Sequence, residues 1–268
     1  MPLPTFVIVG AQKSGTTTLH DLLGQHPQVW VSDPKELHFF DKHQKRGIDW
    51  YADQFRPELT DVAWGESTPF YLYKDRARRA MAGALTSSVF LAILREPVSR
   101  AYSQYWFARS KNVEQIATFA DAIAAEPERL AARPDGQPAM GSYLDRGRYH
   151  RQLVDLEQLV GRERLMVHLT DDLRDNPLGV LRDTCRFLGV ETGPVEDIEL
   201  RERNTFANRT VNSEKSSAAS TLLKRSEEVP VDAYPPIDPS LEAELRARFR
   251  DDNDRLADWL GRDLSSWA

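Results

Sequence analysis

The sequence predicts an α/β fold, a P-loop-like central parallel sheet flanked by helices. Three observations carry this. The runs Thr5-Phe-Val-Ile-Val9 and Val89-Phe-Leu-Ala-Ile-Leu94 are short and almost wholly apolar, as expected of strands buried on both faces. Each is followed at once by a turn and the start of a helix. A further strand, Leu165-Met-Val-His-Leu169, precedes a helix opened by Pro177, and this strand-helix alternation favours parallel strands joined by crossover helices. No internal repeat interrupts the pattern, and 268 residues suit one domain, 1–268, able to bury a sizeable core.

The first strand runs into Gly10-Ala-Gln12-Lys13-Ser14-Gly15-Thr16-Thr17. Gly10 and Gly15 permit a tight turn and close approach of an anion, and the following helix points its N-terminal amides at that anion. The usual nucleotide loop, GxxxxGK[ST], has lysine directly after its second glycine. Here that position is Thr16, and the lysine, Lys13, lies inside the loop.

Leu19, Leu22 and Leu23 give the first helix its apolar face, and Gly24 with Pro27 ends it. Val29-Trp-Val31 reads as a second strand. It leads to Pro34-Lys-Glu-Leu-His-Phe-Phe-Asp41, where an extended backbone would put Glu36 and His38 on one face while Leu37 and Phe39 pack behind. On these residues alone, a surface glutamate and a satisfied histidine fit better than a catalytic pair. Glu66, in Gly65-Glu-Ser-Thr-Pro-Phe-Tyr71, reads either as structural or as lining the cleft.

The strand ending at Leu94 is followed by Arg95-Glu-Pro97, with Pro97 suited to the first turn of a helix and Ser103 about two turns along it. Arg95 therefore falls at the C-terminal end of a strand, where open α/β sheets bind ligands. Residues 110–142 are rich in Ala, Pro and charge, with an amphipathic piece around Phe119 and Ile123, and read as an insertion covering the cleft. Tyr149 and His150 begin a helix whose face is Leu153, Leu156 and Val160, and Gly161 stops it. Cys185, the one cysteine, shares a helix with Leu181 and Leu188 and reads as a core thiol. Residues 201–238 are polar and have the composition of a flexible loop. A C-terminal helix carrying Leu241, Leu245, Phe249, Leu256, Trp259 and Leu260 is expected on the sheet edge.

Several of these segments together resemble sulfotransferases that use 3′-phosphoadenosine 5′-phosphosulfate (PAPS), nearest to the heparan-sulfate-type branch and its bacterial relatives. Gly10 to Thr17 resembles that family's 5′-phosphosulfate loop, so the resemblance implies cofactor contacts at Gly10, Gln12, Lys13, Ser14, Gly15, Thr16 and Thr17. Glu36 matches the implied catalytic base of a Glu-x-His-Phe-Phe segment, and Gly47-Ile-Asp-Trp-Tyr51 is similar to a stretch of the N-sulfotransferase members. Arg95 and Ser103 match the Arg-x7-Ser signature for the 3′-phosphate. Arg supplies a planar donor fork and Ser a short hydroxyl, a suitable pair for a phosphate monoester. Gly147-Arg-Tyr149 resembles a segment facing cofactor or acceptor. Two departures stand out: Ser67 replaces a family lysine, and the Lys-Gly-Arg loop over the 3′-phosphate is missing from 201–238, where Arg209 and Lys215 are candidate substitutes.

What the resemblance implies is transfer of a sulfonate from PAPS to a hydroxyl or amine of a carbohydrate, glycolipid or small-molecule acceptor, leaving 3′-phosphoadenosine 5′-phosphate (PAP). Lys13 would neutralise the leaving oxygen, Glu36 would take the acceptor proton, His38 would orient either group, and no metal is required. Two rivals stand beside it. A P-loop kinase for a small metabolite would need magnesium and ordinarily a lysine after Gly15. A nucleotide-binding module without chemistry would leave Glu36 beside the loop unexplained. The net charge of −6 argues against a general nucleic-acid binder. A single cysteine allows no internal disulfide and fits a reducing compartment. The longest apolar runs are too short to span a bilayer and no leader precedes the first strand, so a cytoplasmic protein is expected. No motif identifies the acceptor or the oligomeric state.

Overall fold

The structure, a computed structural model, describes residues 2–133, 141–200 and 234–268. In chain order the elements are β1 (Phe6–Gly10), α1 (Thr16–Leu23), β2 (Val29–Val31), α2 (Ile48–Ala52), β3 (Ala63–Ser67), α3 (Phe70–Tyr73), α4 (Asp75–Ala84), β4 (Val89–Leu94), α5 (Pro97–Ser110), α6 (Phe119–Ala124), α7 (Glu126–Ala131), α8 (Tyr149–Val160), β5 (Leu165–Leu169), α9 (Thr170–Asp175), α10 (Pro177–Leu188) and α11 (Pro239–Leu260). The five strands form one parallel sheet in the order β2-β3-β1-β4-β5. The sequence expectation of a central parallel sheet therefore holds, and the loop-bearing strand β1 lies at its middle.

Alternation along the strands divides the core. Phe6 and Ile8 of β1 and Leu91 and Ile93 of β4 face α1 and α10, meeting Leu19, Leu23, Leu181 and the buried Cys185. Val7, Val9, Phe90, Ala92 and Leu94 face the other way, onto Met81 of α4, Leu153 and Leu156 of α8, and Leu256 of α11. Both faces of β1 and β4 are covered, which is why their sequences show no polar alternation.

α11 is one continuous helix, with the Asp238 side chain accepting from Leu241 N at 2.9 Å as its cap. It does not lie along the sheet edge as expected. Leu245 and Phe249 join a third cluster with Val98, Tyr105, Phe119 and Tyr143, while Leu256 reaches the sheet-face core, because its apolar stripe meets α5 and α8 in turn. The described part of the 110–142 segment packs on α5. There Glu114, nearly buried, binds Arg129 at 2.6 Å and accepts from Tyr143 Oη at 2.8 Å.

The Pro34–Asp41 segment departs from the extended conformation expected of it. Glu36 and His38 have φ of 66° and 52°, and Phe39–His43 then forms a single π-helical turn. Two left-handed residues, rather than strand alternation, put Glu36 and His38 together while Leu37 and Phe39 remain buried.

Candidate active site

The phosphate-type loop is fastened to the C-terminal edge of the sheet. Ala11 N donates to Ile93 O of the neighbouring strand at 2.8 Å, and Ser14 N to Ala11 O at 3.2 Å. Thr170 Oγ1 lies within hydrogen-bond distance of both Ser14 O (2.7 Å) and Leu94 O (2.9 Å), so the start of α9 pins the loop to the end of β4. At Gly10 an added Cβ would sit 2.7 Å from Leu72 Cβ, and at Gly15 φ is 101°. Neither position accommodates a larger residue without movement or strain. Gly15 gives α1 no side-chain cap and the first turn has no acidic residue, so the N-terminal end of the helix, beside Thr16 and Thr17, suits an anion.

The strand next door supplies the second half. Arg95 directly follows β4, and the Glu96 carboxylate caps α5 by accepting from Val98 N (2.8 Å) and Ser99 N (2.7 Å). The cap aims α5 across the loop. Ser103 is 8% exposed on that helix. Phe107, one turn further on and overlooked in the sequence, carries the Lys13 ammonium 4.6 Å from its ring centroid. Tyr149 is buried at the start of α8 and donates its hydroxyl to Arg95 O at 2.8 Å; burial pushes its pKa up to about 12. It therefore holds Arg95's backbone. Arg209 and Lys215 lie outside the described residues.

Glu36 and His38 do meet, and they belong to a longer chain of charges. His38 Nε2 lies 3.3 Å from Glu36 Oε2, and His38 Nδ1 lies 3.0 Å from Asp41 Oδ1. Asp41 is in turn 3.3 Å from Lys74 Nζ, and Glu36 Oε1 3.1 Å from Lys35 Nζ. Burial alone would lower the His38 pKa, but hydrogen bonds to Asp41 and Glu36 outweigh it and raise it to about 8. Burial alone would raise Glu36, but His38 and Lys35 outweigh it and bring it to about 2. At neutral pH the resting pair is therefore carboxylate and imidazolium. For Asp41 the signal in the sequence is its i+3 spacing from His38.

Glu66 does not line the cleft. It is fully buried and accepts from Tyr51 Oη (2.8 Å), Thr68 Oγ1 (2.5 Å) and Tyr71 Oη (3.0 Å). Thr68 Oγ1 accepts from His38 N at 3.3 Å, and Tyr71 Oη from Phe40 N at 3.3 Å. Glu66 thus braces the Glu36–His38 turn from below. Ser67, where the resemblance places a lysine, is fully buried. Arg146 was also missed: it donates to Gln12 Oε1 at 2.9 Å from a position 134 residues away in sequence.

The family model for the sulfotransferase domain matches residues 3–231. The chain is 28% identical over 286 residues, 99% of its length, to human bifunctional heparan sulfate N-deacetylase/N-sulfotransferase 3, covering 31% of that protein. It is 35% identical over 118 residues, 41% of its length, to the Dictyostelium discoideum membrane-associated sulfotransferase kil1, covering 25% of it. The chain thus spans a third or less of the length of these curated relatives. A sulfotransferase crystal structure from Alicyclobacillus acidocaldarius superposes with a TM-score of 0.77 at 28% identity, covering 100% of this chain and 99% of that one. A retinol dehydratase crystallised with retinol and PAP shares the fold at 14% identity and a TM-score of 0.53, covering 94% of this chain and 82% of that one. Among the described residues, no helix is long and apolar enough to cross a membrane.

Proposed function

This chain belongs to the sulfotransferase domain family, and from that premise we propose that it transfers a sulfonate from PAPS to a hydroxyl or amine of a carbohydrate, glycolipid or small-molecule acceptor. The observation that carries the proposal is the Glu36–His38–Asp41 relay, with separations of 3.3 and 3.0 Å, in a chain whose phosphate-type loop holds its lysine inside. The residues present suit the donor: an uncapped helix start after Gly15, hydroxyls at Thr16 and Thr17, and cations at Lys13 and Arg95. PAPS supplies an activated sulfonate and, once that has left, an anionic phosphate as leaving group.

The chain's own residues account for the rest. Lys13 offsets the charge that develops on the leaving oxygen, an electrostatic role that is strongest where water is excluded. Arg95 and Ser103 hold the 3′-phosphate. Glu36 takes the acceptor proton, because a hydroxyl or protonated amine is a poor nucleophile until that proton departs. In the resting site Glu36 is held at about 2 by His38 and Lys35, so it becomes an effective base only as His38 loses its charge. Asp41 holds the imidazole facing Glu36 throughout.

The test is transfer of radiolabelled sulfonate from PAPS to a panel of hydroxyl and amine acceptors, run with and without EDTA, beside mass spectrometry of the purified protein for bound PAP. Acceptor-dependent PAP release that survives EDTA is expected. Magnesium-dependent phosphate transfer from ATP, with no sulfonate transfer, would replace this reading with the kinase.

A further inference from the structure

Behind the loop lies a small cavity lined by Gln12, Tyr73, Gln152, Arg100 and Arg146, together with apolar atoms of Ala11, Pro69 and Leu72. It has room for one small occupant of roughly water size, far less than a nucleotide or saccharide needs. Two of its walls are buried guanidiniums: Arg100 is wholly buried and Arg146 is 4% exposed. Among the described residues neither is drawn into an ion pair, although Glu126 attracts both guanidiniums and Asp145 attracts Arg146 from further away.

Their polar contacts are neutral. Arg146 donates to Ser142 Oγ (2.8 Å) and Gln12 Oε1 (2.9 Å) and lies over the rings of Phe70 and Tyr73, 4.8 and 4.9 Å from their centroids. Arg100 donates to Gln104 Oε1 (2.6 Å) and to Tyr143 O, and its Nε is buried with no acceptor. Burial first, and Arg100 next, bring the Arg146 pKa down to about 10, and burial lowers that of Arg100; a guanidinium nonetheless keeps its proton in proteins. The nearby acids are already engaged. Glu126 accepts from Leu144 N (2.8 Å) and Asp145 N (2.9 Å), while Asp145 takes the Tyr73 hydroxyl (2.6 Å) and Arg151.

Burying one unpaired cation is costly, and burying two side by side more so, because each raises the other's energy in a medium of low dielectric constant. A water in the cavity could accept from a guanidinium N–H but would add no negative charge. A monoatomic anion satisfies the donor and offsets both guanidiniums. We propose that the cavity between Arg100, Arg146 and Gln12 is a structural binding site for a monoatomic anion, chloride under ordinary conditions, set behind the loop with which it shares the Gln12 side chain.

Thermal unfolding of the full chain in sodium chloride against sodium gluconate, at fixed ionic strength, tests this, with and without saturating PAP. An anion that binds only the folded state raises the melting temperature with its concentration. Chloride should do so saturably in both settings, since the cavity is too small for a phosphate of PAP, whereas failure of PAP itself to stabilise the protein would count only against the proposed function. In Arg146→Gln the chloride midpoint should rise at least about ten-fold. Crystals soaked in sodium bromide should show an anomalous peak between Arg100 and Arg146, a readout that stands even where the variant does not fold. Equal melting in the two salts, a chloride effect abolished by PAP, or no bromide in the cavity would each overturn the proposal.

Discussion

His38 Nε2 stands 3.3 Å from Glu36 Oε2, so the candidate base and its neighbour form an ion pair before any acceptor arrives. A carboxylate held at about 2 is a weak base, and the histidine that holds it there titrates near 8. Two effects follow from this one contact, on the rate and on the stability of the fold.

The rate limb comes first. With Glu36 ionised throughout, kcat/KM should rise with pH as His38 loses its proton, with an apparent pKa of about 8. Asp41→Asn removes a carboxylate that raises the His38 value, so the limb should move toward lower pH. A profile flat from pH 6 to 9, or a limb unmoved by the substitution, would disconnect His38 from the chemistry.

The stability effect has its own sign. The folded-state pKa of His38 lies above its ordinary value of 6.5, so its contribution is complete below about 6.5 and is lost as pH rises through about 8. For a side chain 16% exposed the shift corresponds to about 2 kcal/mol. Asp41→Asn should therefore lower the melting temperature more at pH 6 than at pH 9, and an equal drop at both would contradict the assignment.

Glu36→Gln keeps the size of the side chain and removes the proton acceptor. Turnover should fall on the order of 10²–10⁴-fold, with PAP affinity nearly unchanged. Thermal melting, PAP titration and turnover on one preparation check it. A variant that binds PAP normally and keeps more than about a tenth of wild-type turnover would shift the role of base away from Glu36.

Lys13→Ala should keep the fold, because the side chain is half-buried in a polar loop with its ammonium over Phe107. Turnover should fall on the order of 10²–10³-fold, as when a single transition-state donor is deleted. Arg95→Ala and Ser103→Ala should instead weaken PAP far more than adenosine 5′-phosphosulfate, which lacks the 3′-phosphate. Calorimetry showing equal losses for both ligands would mean these residues serve the fold or the adenosine.

Glu66→Ala leaves the hydroxyls of Tyr51, Thr68 and Tyr71 without their shared acceptor inside the core. The cost should be about 3 kcal/mol, measured by denaturant unfolding. Turnover per folded molecule should drop as well, because Thr68 and Tyr71 hold the backbone amides of His38 and Phe40. Loss of stability with full turnover would confine Glu66 to the core.

Much of the fold was legible because its signals are local. Phe6 to Val9 and Val89 to Leu94 are buried on both faces and so appear as unbroken apolar runs; Gly15 and Pro97 mark where helices begin. The loop, Glu36 and the Arg95–Ser103 pair could be named because each matches a short motif of the family that the sequence resembles. Other features depend on contacts between distant segments. Glu66 reads as an ordinary strand acid until three hydroxyls close around it, and Arg146 reads as one more surface arginine until α3 and the loop enclose it beside Arg100. Whether a charge is costly or useful depends on what shields it, and that is set when the sheet, α5 and α8 pack together. The sequence alone determined the parallel sheet, its loop and the principal candidate residues; tertiary packing decided which acids brace, which histidine carries a proton, and where two cations are buried without an ion-pair partner among the described residues.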